Sequence, residues 1–348
     1  MSVSGIKNIN KLKGLSNIKV AFVVDGVKNF SKADIFHDSS FALMLAMQEF
    51  NVRILLTESN NLKIINDKVF AKFDEVVLKQ EENNHIKVKS SSECSLDSFN
   101  IIFARKDPPV NEDFLSYLLM LSMTPHFGDG KAENEDKSKP LIVNSPEGML
   151  KANEKLYALN FPKFIPPTIV TSKKSEILDF LNEHNEAVVK PLYDKGGGGV
   201  FYLNKSLKNA QAIIEMSIRN GDGVALVQKY IPEVLSGDKR IVLLNGEPLG
   251  AILRIPRVGE FRANMSRGAS VKACTLTERD LEICEALKPY LQRDGLHFVG
   301  IDVINGYLTE VNVTSPTGLQ EIERFDGRPL AKEIVSWAIE ASMAGLAV

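Results

Sequence analysis

Asp302, Glu310 and Asn312 lie in the stretch FVGIDVINGYLTEVNVTSP, residues 298–316, whose strand-like runs are otherwise largely apolar. Two carboxylates and a carboxamide are the hard-oxygen donors that suit Mg²⁺, an ion usually held by one or two carboxylates with substrate phosphates and water completing the octahedron. That chemistry points to a nucleotide enzyme. Asn305-Gly306 is a strong hairpin-turn dipeptide, and side chains alternate between faces along a strand, so Glu310 and Asn312 share a face. A strict two-residue turn pairs Ile301 with Glu310 and sends Asp302 to the other side. A three-residue loop ending at Tyr307, or a bulge, pairs Asp302 with Glu310 instead. The alternative is a hairpin whose solvated face carries the three polar residues, and spacing alone leaves both readings open.

Other residues suited to chemistry lie upstream. Ser145-Pro146-Glu147 combines a serine N-cap, proline at N1 and an acidic first turn, which predicts a helix carrying Asn153, Glu154 and Lys155. Lys190 ends the buried strand EAVVKPL. Either lysine alone would be an ordinary solvated side chain. The run YDKGGGGVFYL holds Gly196, Gly197 and Gly198 between two strand-like segments. With neither a GKS/GKT ending nor a following helix, it is not a Walker or Rossmann loop. It reads as a flexible turn, or as a flap whose unobstructed backbone NH groups can approach phosphate oxygens. Asp238-Lys239-Arg240 opens a second Asn-Gly hairpin that ends at Arg254, and residues 256–269, with Arg262 and Asn264, read as a lid-like loop. In the N-terminal part, FNIIFARKDPP delivers Arg105, Lys106 and Asp107 to the end of a strand, which reads either as the usual ligand edge of an open α/β sheet or as a solvated loop rigidified by Pro108-Pro109.

The elements that must position these residues follow from pattern. KVAFVVD and NVRILLTE read as strands, and Asp38-Ser39 caps a helix with Phe41, Met44, Leu45 and Met47 at helical spacing. A hairpin is expected around Asn66-Asp67, strands at LIVN, TIVT and VALVQKYI, and helices over 206–220, 277–293 and 329–343. The pattern is α/β first and α+β later. The expected organisation is a polar extension over 1–18, an open parallel-type α/β domain over 19–145, an α+β unit with the glycine flap over 146–228, and a second α+β unit with lid and acidic hairpin over 229–348. The charged stretch over 125–140 reads as a surface insertion.

With 348 residues and 44% hydrophobic content the chain can bury a large core. A formal charge of −2 excludes a pervasively basic nucleic-acid binder. No apolar run reaches the roughly 18 residues needed to span a bilayer. Three cysteines, Cys94, Cys274 and Cys284, are odd in number and lack CxxC spacing, which argues against a disulfide framework or zinc site and fits the cytoplasm. The five histidines show no ligand spacing.

The order Lys155, Lys190, glycine flap, VQKYIP, Asp238-Lys239-Arg240, Arg254, lid, Asp302, Glu310, Asn312 resembles that of the ATP-grasp ligases, specifically bacterial glutathione synthetases. The most specific stretches are DSSFALML, ARKDPP, NEKL, GDKRIVLLNGEP, LRIP and the hairpin itself, and the resemblance covers residues 19 to about 341. It implies an N-terminal substrate domain and two α+β subdomains gripping ATP, with γ-glutamylcysteine joined to glycine as ATP becomes ADP and phosphate. Lys155 and Lys190 match the phosphate lysines. Gly196, Gly197, Gly198 and Asp238 fall among the ATP-binding positions, and Gln228, Lys229, Tyr230 and Ile231 match the adenine-binding connection. Asp302, Glu310 and Asn312 match ligands for Mg²⁺ or Mn²⁺. Arg240, Arg254, Arg262 and Asn264 would stabilise phosphoryl charge or orient carboxylates, and Ser315, Pro316 and Thr317 with Asp38, Ser39, Arg105 and Asp107 would hold the peptide. A homo-oligomer without nucleic-acid or membrane partners is also implied. Tyr193 and Asp194 stand where the family usually has aspartate and glycine, and in the lid Arg257 and Arg267 add charge while Ala263 and Ala269 replace glycine. The changed lid leaves room for a related ligase with another peptide or amine, and a non-catalytic nucleotide-binding regulator is a third reading, against which the intact lysines and acidic set argue.

Overall fold

The computed structural model describes residues 17–26, 35–81, 84–126, 139–194 and 196–344. Most of the extension over 1–18, nearly all of the insertion over 125–140, and Lys195 of the flap therefore lie outside the described residues.

The first sheet has seven strands: β1 (Lys19–Val24), β2 (Arg53–Glu58), β3 (Lys63–Ile65), β4 (Lys68–Leu78), β5 (Ile86–Ser95), β6 (Ile101–Arg105) and β7 (Leu141–Val143). β2, β1, β6 and β7 run parallel in that spatial order, and β1 and β6 are apolar and buried along most of their length, as strands covered on both faces must be. The hairpin expected at Asn66-Asp67 is the β3–β4 turn, and β3, β4 and β5 extend the sheet with antiparallel pairing. Helix α1 (Ser39–Gln48) starts where Asp38 Oδ1 accepts the Phe41 amide at 2.7 Å, and α2 (Glu112–Leu121) starts at Asn111, which caps Phe114 in the same way.

Helix α3 (Pro146–Lys151) begins at Ser145 as expected but ends before Lys155. The cause is local. Asn153 Oδ1 accepts the amides of Lys155 and Leu156, both at 3.1 Å, a side-chain substitute for helical bonds that turns the chain. Lys155 thus stands on a turn, not on a helix.

A four-stranded antiparallel sheet follows, formed by β8 (Thr168–Thr171), β9 (Glu186–Pro191), β10 (Phe201–Asn204) and β11 (Ala225–Lys229) in the order β10-β9-β11-β8. Helices α4 (Lys174–His184) and α5 (Ala210–Ser217) pack on it. α5 is shorter than the span 206–220 expected from the sequence, because Asn204 Oδ1 and the Asn204 carbonyl hold Ser206 and Leu207 in a turn and Asn220 adopts a left-handed conformation. This sheet has its own core of Ile177, Leu181, Val189, Leu203, Ile214 and Val227.

The third sheet comprises β12 (Asp238–Leu244), β13 (Glu247–Ile255), β14 (Ser270–Ala273), β15 (Phe298–Ile304) and β16 (Tyr307–Asn312), all antiparallel, in the order β14-β13-β12-β15-β16. Helix α6 (Glu278–Arg293) opens with a reciprocal capping box between Thr277 and Asp280. Helices α7 (Leu319–Asp326) and α8 (Leu330–Ala344) close the chain. Phe22 and Phe103 of the first sheet share one core with Phe298, Ile322 and Ile334, so the first and third sheets pack together while the second keeps a separate core.

Candidate active site

The hairpin β15–β16 has a two-residue turn, with Ile304 facing Tyr307, yet Asp302 faces Glu310 and Gly300 faces Asn312. A bulge makes this possible. Val303 pairs with Leu308, leaving Thr309 as the extra residue, and its hydroxyl donates to the Asp302 carbonyl at 3.1 Å. All three hard-oxygen side chains therefore share a face. Asn312 Nδ2 reaches Asp302 Oδ2 at 3.2 Å.

Two arginines flank Asp302. Arg240 Nε donates to Oδ1 at 2.6 Å and Nη2 to Oδ2 at 3.1 Å, a fork on the carboxylate. Arg254 Nη2 lies 2.9 Å from Asp302 Oδ1 and 2.7 Å from Asp238 Oδ2, bridging two acids. Burial opposes ionisation of Asp302, but the two guanidiniums outweigh it and hold its carboxyl well below the usual range. Asp238 goes the other way, pushed by burial to about 6.

Glu310 and Lys190 are different. Among the described residues neither side chain has a hydrogen-bond or ion-pair partner. Burial pushes the Lys190 ammonium down, with Glu310 raising it and Lys155 lowering it further. Lys155 is buried and donates from Nζ to the Asp194 carbonyl at the root of the flap, at 2.8 Å.

Two cavities meet here. One is lined by Val188, Lys190, Val200, Tyr230, Ile231, Phe261, Ile304 and Glu310, with Gln228, Lys229, Asp238, Arg262, Asn264 and Asp302 completing its wall. The other is lined by His37, Asp107, Glu154, Lys155, Arg240, Arg254, Asn312, Ser315, Pro316 and Thr317. Gly197, Val200, Asn264 and Glu310 border both. In the first, the amides of Lys229 and Tyr230 are taken by the carbonyls of Pro167 and Glu186, at 2.9 and 3.2 Å. That leaves the Ile231 amide, which meets no backbone carbonyl among the described residues.

The flap and lid touch. Arg262 Nη1 donates to the Gly197 carbonyl at 3.0 Å and Arg267 Nε to that of Gly196 at 2.7 Å. Arg262 is itself held by Glu260, whose carboxyl the guanidinium keeps at about 2. Gly197 has φ +70, and a Cβ there would stand 2.5 Å from Asn264 Oδ1.

Most residues singled out from sequence converge on these cavities, but three N-terminal ones do not line them. Arg105 is buried beneath the turn that carries Ser315, Pro316 and Thr317, donating to Ser40 Oγ at 2.9 Å and to the Pro316 carbonyl at 3.0 Å. Asp38 is spent on capping α1, and Ser39 is buried behind it. His37, one of five histidines without ligand spacing, lines the second cavity with Nδ1 on the buried Glu321 carboxylate. Phe261 and Ile304 were also unforeseen, since an apolar residue in a loop or at a strand end carries no distinguishing pattern.

The family model for the N-terminal domain of prokaryotic glutathione synthetase matches residues 18–149, and that for its ATP-grasp domain matches 154–327. The chain is 42% identical over 327 residues to a glutathione synthetase of Thermosynechococcus vestitus, covering 91% of this chain and 98% of the relative. The corresponding protein of Synechocystis is 40% identical over 329 residues, 92% of this chain and 98% of the relative. The chain belongs to the prokaryotic glutathione synthetase family. Membership makes it an ATP-dependent ligase, and the cavity carrying Lys190 and Glu310 falls within the matched ATP-grasp segment.

Solved structures show the same fold. A D-cycloserine synthetase superposes with a TM-score of 0.63 at 15% identity, over 94% of this chain and all of that one. The D-alanyl-alanine synthetase A of Vibrio cholerae does so with a TM-score of 0.56 at 14% identity, over 94% and 99%.

Proposed function

We propose that this chain joins γ-glutamylcysteine to glycine, with ATP converted to ADP and phosphate. The observation that carries the reading is the meeting of the two cavities at Gly197, Asn264 and Glu310: a nucleotide in the first would direct its terminal phosphate into the second. Tyr230, Phe261, Val188 and Ile304 suit a base, with the Ile231 amide as donor. Lys190 and Lys155 suit phosphates, acting as compact point charges, and Gly196, Gly197 and Gly198 cover them. Arg240, Arg254, Ser315, Pro316 and Thr317, with Asp107, suit the peptide. Arg105 supports that turn from beneath.

An oxygen of the peptide carboxylate attacks the γ-phosphorus and ADP leaves. The glycine nitrogen then attacks the acyl carbon, phosphate leaves, and the nitrogen gives up a proton. Arg262 and Asn264 close over the junction and exclude water, which would otherwise consume the acyl phosphate.

The donor set fits a hard divalent cation. Glu310 offers both cavities a carboxylate that has no side-chain partner among the described residues, and Asp302 and Asn312 present oxygens on the same face. Mg²⁺ or Mn²⁺ held there would neutralise phosphoryl charge. The domain limits 19–145, 146–228 and 229–348 are part of this proposal. So is a cytoplasmic homo-oligomer, in keeping with three free cysteines and no helix among the described residues long and apolar enough to cross a membrane.

The test is ADP and phosphate release with ATP and Mg²⁺, adding γ-glutamylcysteine and glycine separately and together. Turnover that requires both is expected. Turnover with a different amine only would assign a related ligase, and AMP with pyrophosphate would overturn the acyl-phosphate route.

A further inference from the structure

Three consecutive residues, Asn153, Glu154 and Lys155, reach two different parts of the site. Asn153 Nδ2 donates to the Leu192 carbonyl at 2.9 Å, and Lys155 Nζ donates to that of Asp194. Both grip the root of the glycine flap. Glu154 turns the opposite way. Its Oε1 accepts the amides of Val313 and Thr314 at 3.0 and 3.2 Å and the Thr314 hydroxyl at 2.9 Å. Its backbone carbonyl accepts the Val311 amide at 2.8 Å.

Those donors belong to β16 and the turn after it. Among the described residues β16 is the edge strand of its sheet, so its outward amides have no neighbouring strand there to meet and need another acceptor. Glu154 supplies it at position 311, between Glu310 and Asn312, and again at 313 and 314, immediately before Ser315. One residue thus fixes both the strand that carries the hard-oxygen set and the turn that lines the second cavity.

The geometry points to Glu154 as a positioning residue that sets the acceptor turn, residues 313–317, in register with the phosphate lysine beside it. The inference rests on the peptide-ligase reading for its kinetic consequence. What the turn needs is a hydrogen-bond acceptor at Oε1, and burial, which pushes the Glu154 carboxyl up, already disfavours its charge. A glutamine retains that acceptor and an alanine removes it.

In the full-length protein, Glu154→Ala should raise KM for γ-glutamylcysteine about 10- to 100-fold while KM for ATP stays within about twofold. Glu154→Gln should restore wild-type constants to within about threefold, and Thr314→Val should shift the peptide KM in the same direction as Glu154→Ala but less. Hydrogen exchange at amides 313 and 314 reads the geometry without turnover: protection should fall in Glu154→Ala and persist in Glu154→Gln. An unchanged peptide KM in Glu154→Ala, an equal rise in KM for ATP, or a folded Glu154→Gln as impaired as Glu154→Ala would overturn the inference. If the alanine variant does not fold, Glu154→Gln and Thr314→Val decide. A wild-type protein that joins no substrates would overturn the proposed function instead, and the exchange data would still decide this one.

Discussion

Asp302 and Glu310 face each other across a hairpin whose two-residue turn, continued regularly, would have placed them on opposite sides of the sheet. Thr309 supplies the offset, and its hydroxyl on the Asp302 carbonyl ties the bulge down. The consequence is a division of labour between two acids. Asp302 is held by Arg240 and Arg254 where it faces the first cavity, while Glu310 borders both cavities.

Glu310→Gln should therefore abolish phosphoryl transfer without harming the fold. The amide keeps the shape but gives up an anionic donor, and no ion pair is broken because none exists among the described residues. ADP release should fall by roughly a hundredfold or more, with an unchanged or slightly raised melting temperature. Near-normal turnover at saturating Mg²⁺ would remove Glu310 from the metal shell.

Arg254→Met tests the other half of that division. Arg254 and Asp302 are only 3% and 4% exposed, so removing one partner leaves buried negative charge on Asp302 and Asp238 with less compensation. Such a break costs about 3–5 kcal/mol. Urea midpoints should show the loss, and adding Asp238→Asn should recover part of it. A midpoint within about 0.5 kcal/mol of wild type would mean the arginine is not structurally committed.

Much of this is legible in the sequence. The turn at Asn305-Gly306, the shared face of Glu310 and Asn312, the capped starts of α1 and α3, and the strand-loop-strand form of the flap all follow from local rules of pleat, cap and turn. The choice between regular hairpin and bulge did not, because Thr309 has no residue-type signature and only the partner strand decides the register. The sequence pattern extends the helix to Lys155 for a related reason: Asn153 can continue a helix or end it, and here its side chain ends it. Arg105 and His37 show the limit most clearly, since what separates a cavity-lining residue from one beneath the wall is packing between segments some 211 and 284 positions apart.

Gly197→Ala should raise KM for ATP. A left-handed backbone costs a residue with a Cβ roughly 1–2 kcal/mol, and here the new atom would also press on Asn264 Oδ1 at 2.5 Å. If that strain is relieved by lifting the flap, KM for ATP rises about 5- to 30-fold and the melting temperature hardly moves. A large drop in melting temperature with unaltered KM would show that the flap stays down and the strain is borne by the fold.

The last prediction concerns acid stability, away from the chemistry. His297 is buried just before β15, with Nδ1 3.3 Å from Asn245 Oδ1 and its ring beside Trp337. Burial lowers its pKa from 6.5 to about 4. Between those values the unfolded chain binds a proton that the folded chain excludes, so stability is fully present above about pH 6.5 and is lost as pH falls toward 4. The full window is worth about 3 kcal/mol. Urea midpoints at pH 7 and pH 4.5 should show most of that difference in the wild type, and His297→Gln, which cannot take up the proton, should lose less on acidification. Equal losses in the two proteins would place the acid sensitivity elsewhere, among carboxylates such as Asp302 whose pairing with Arg240 and Arg254 is undone only at lower pH.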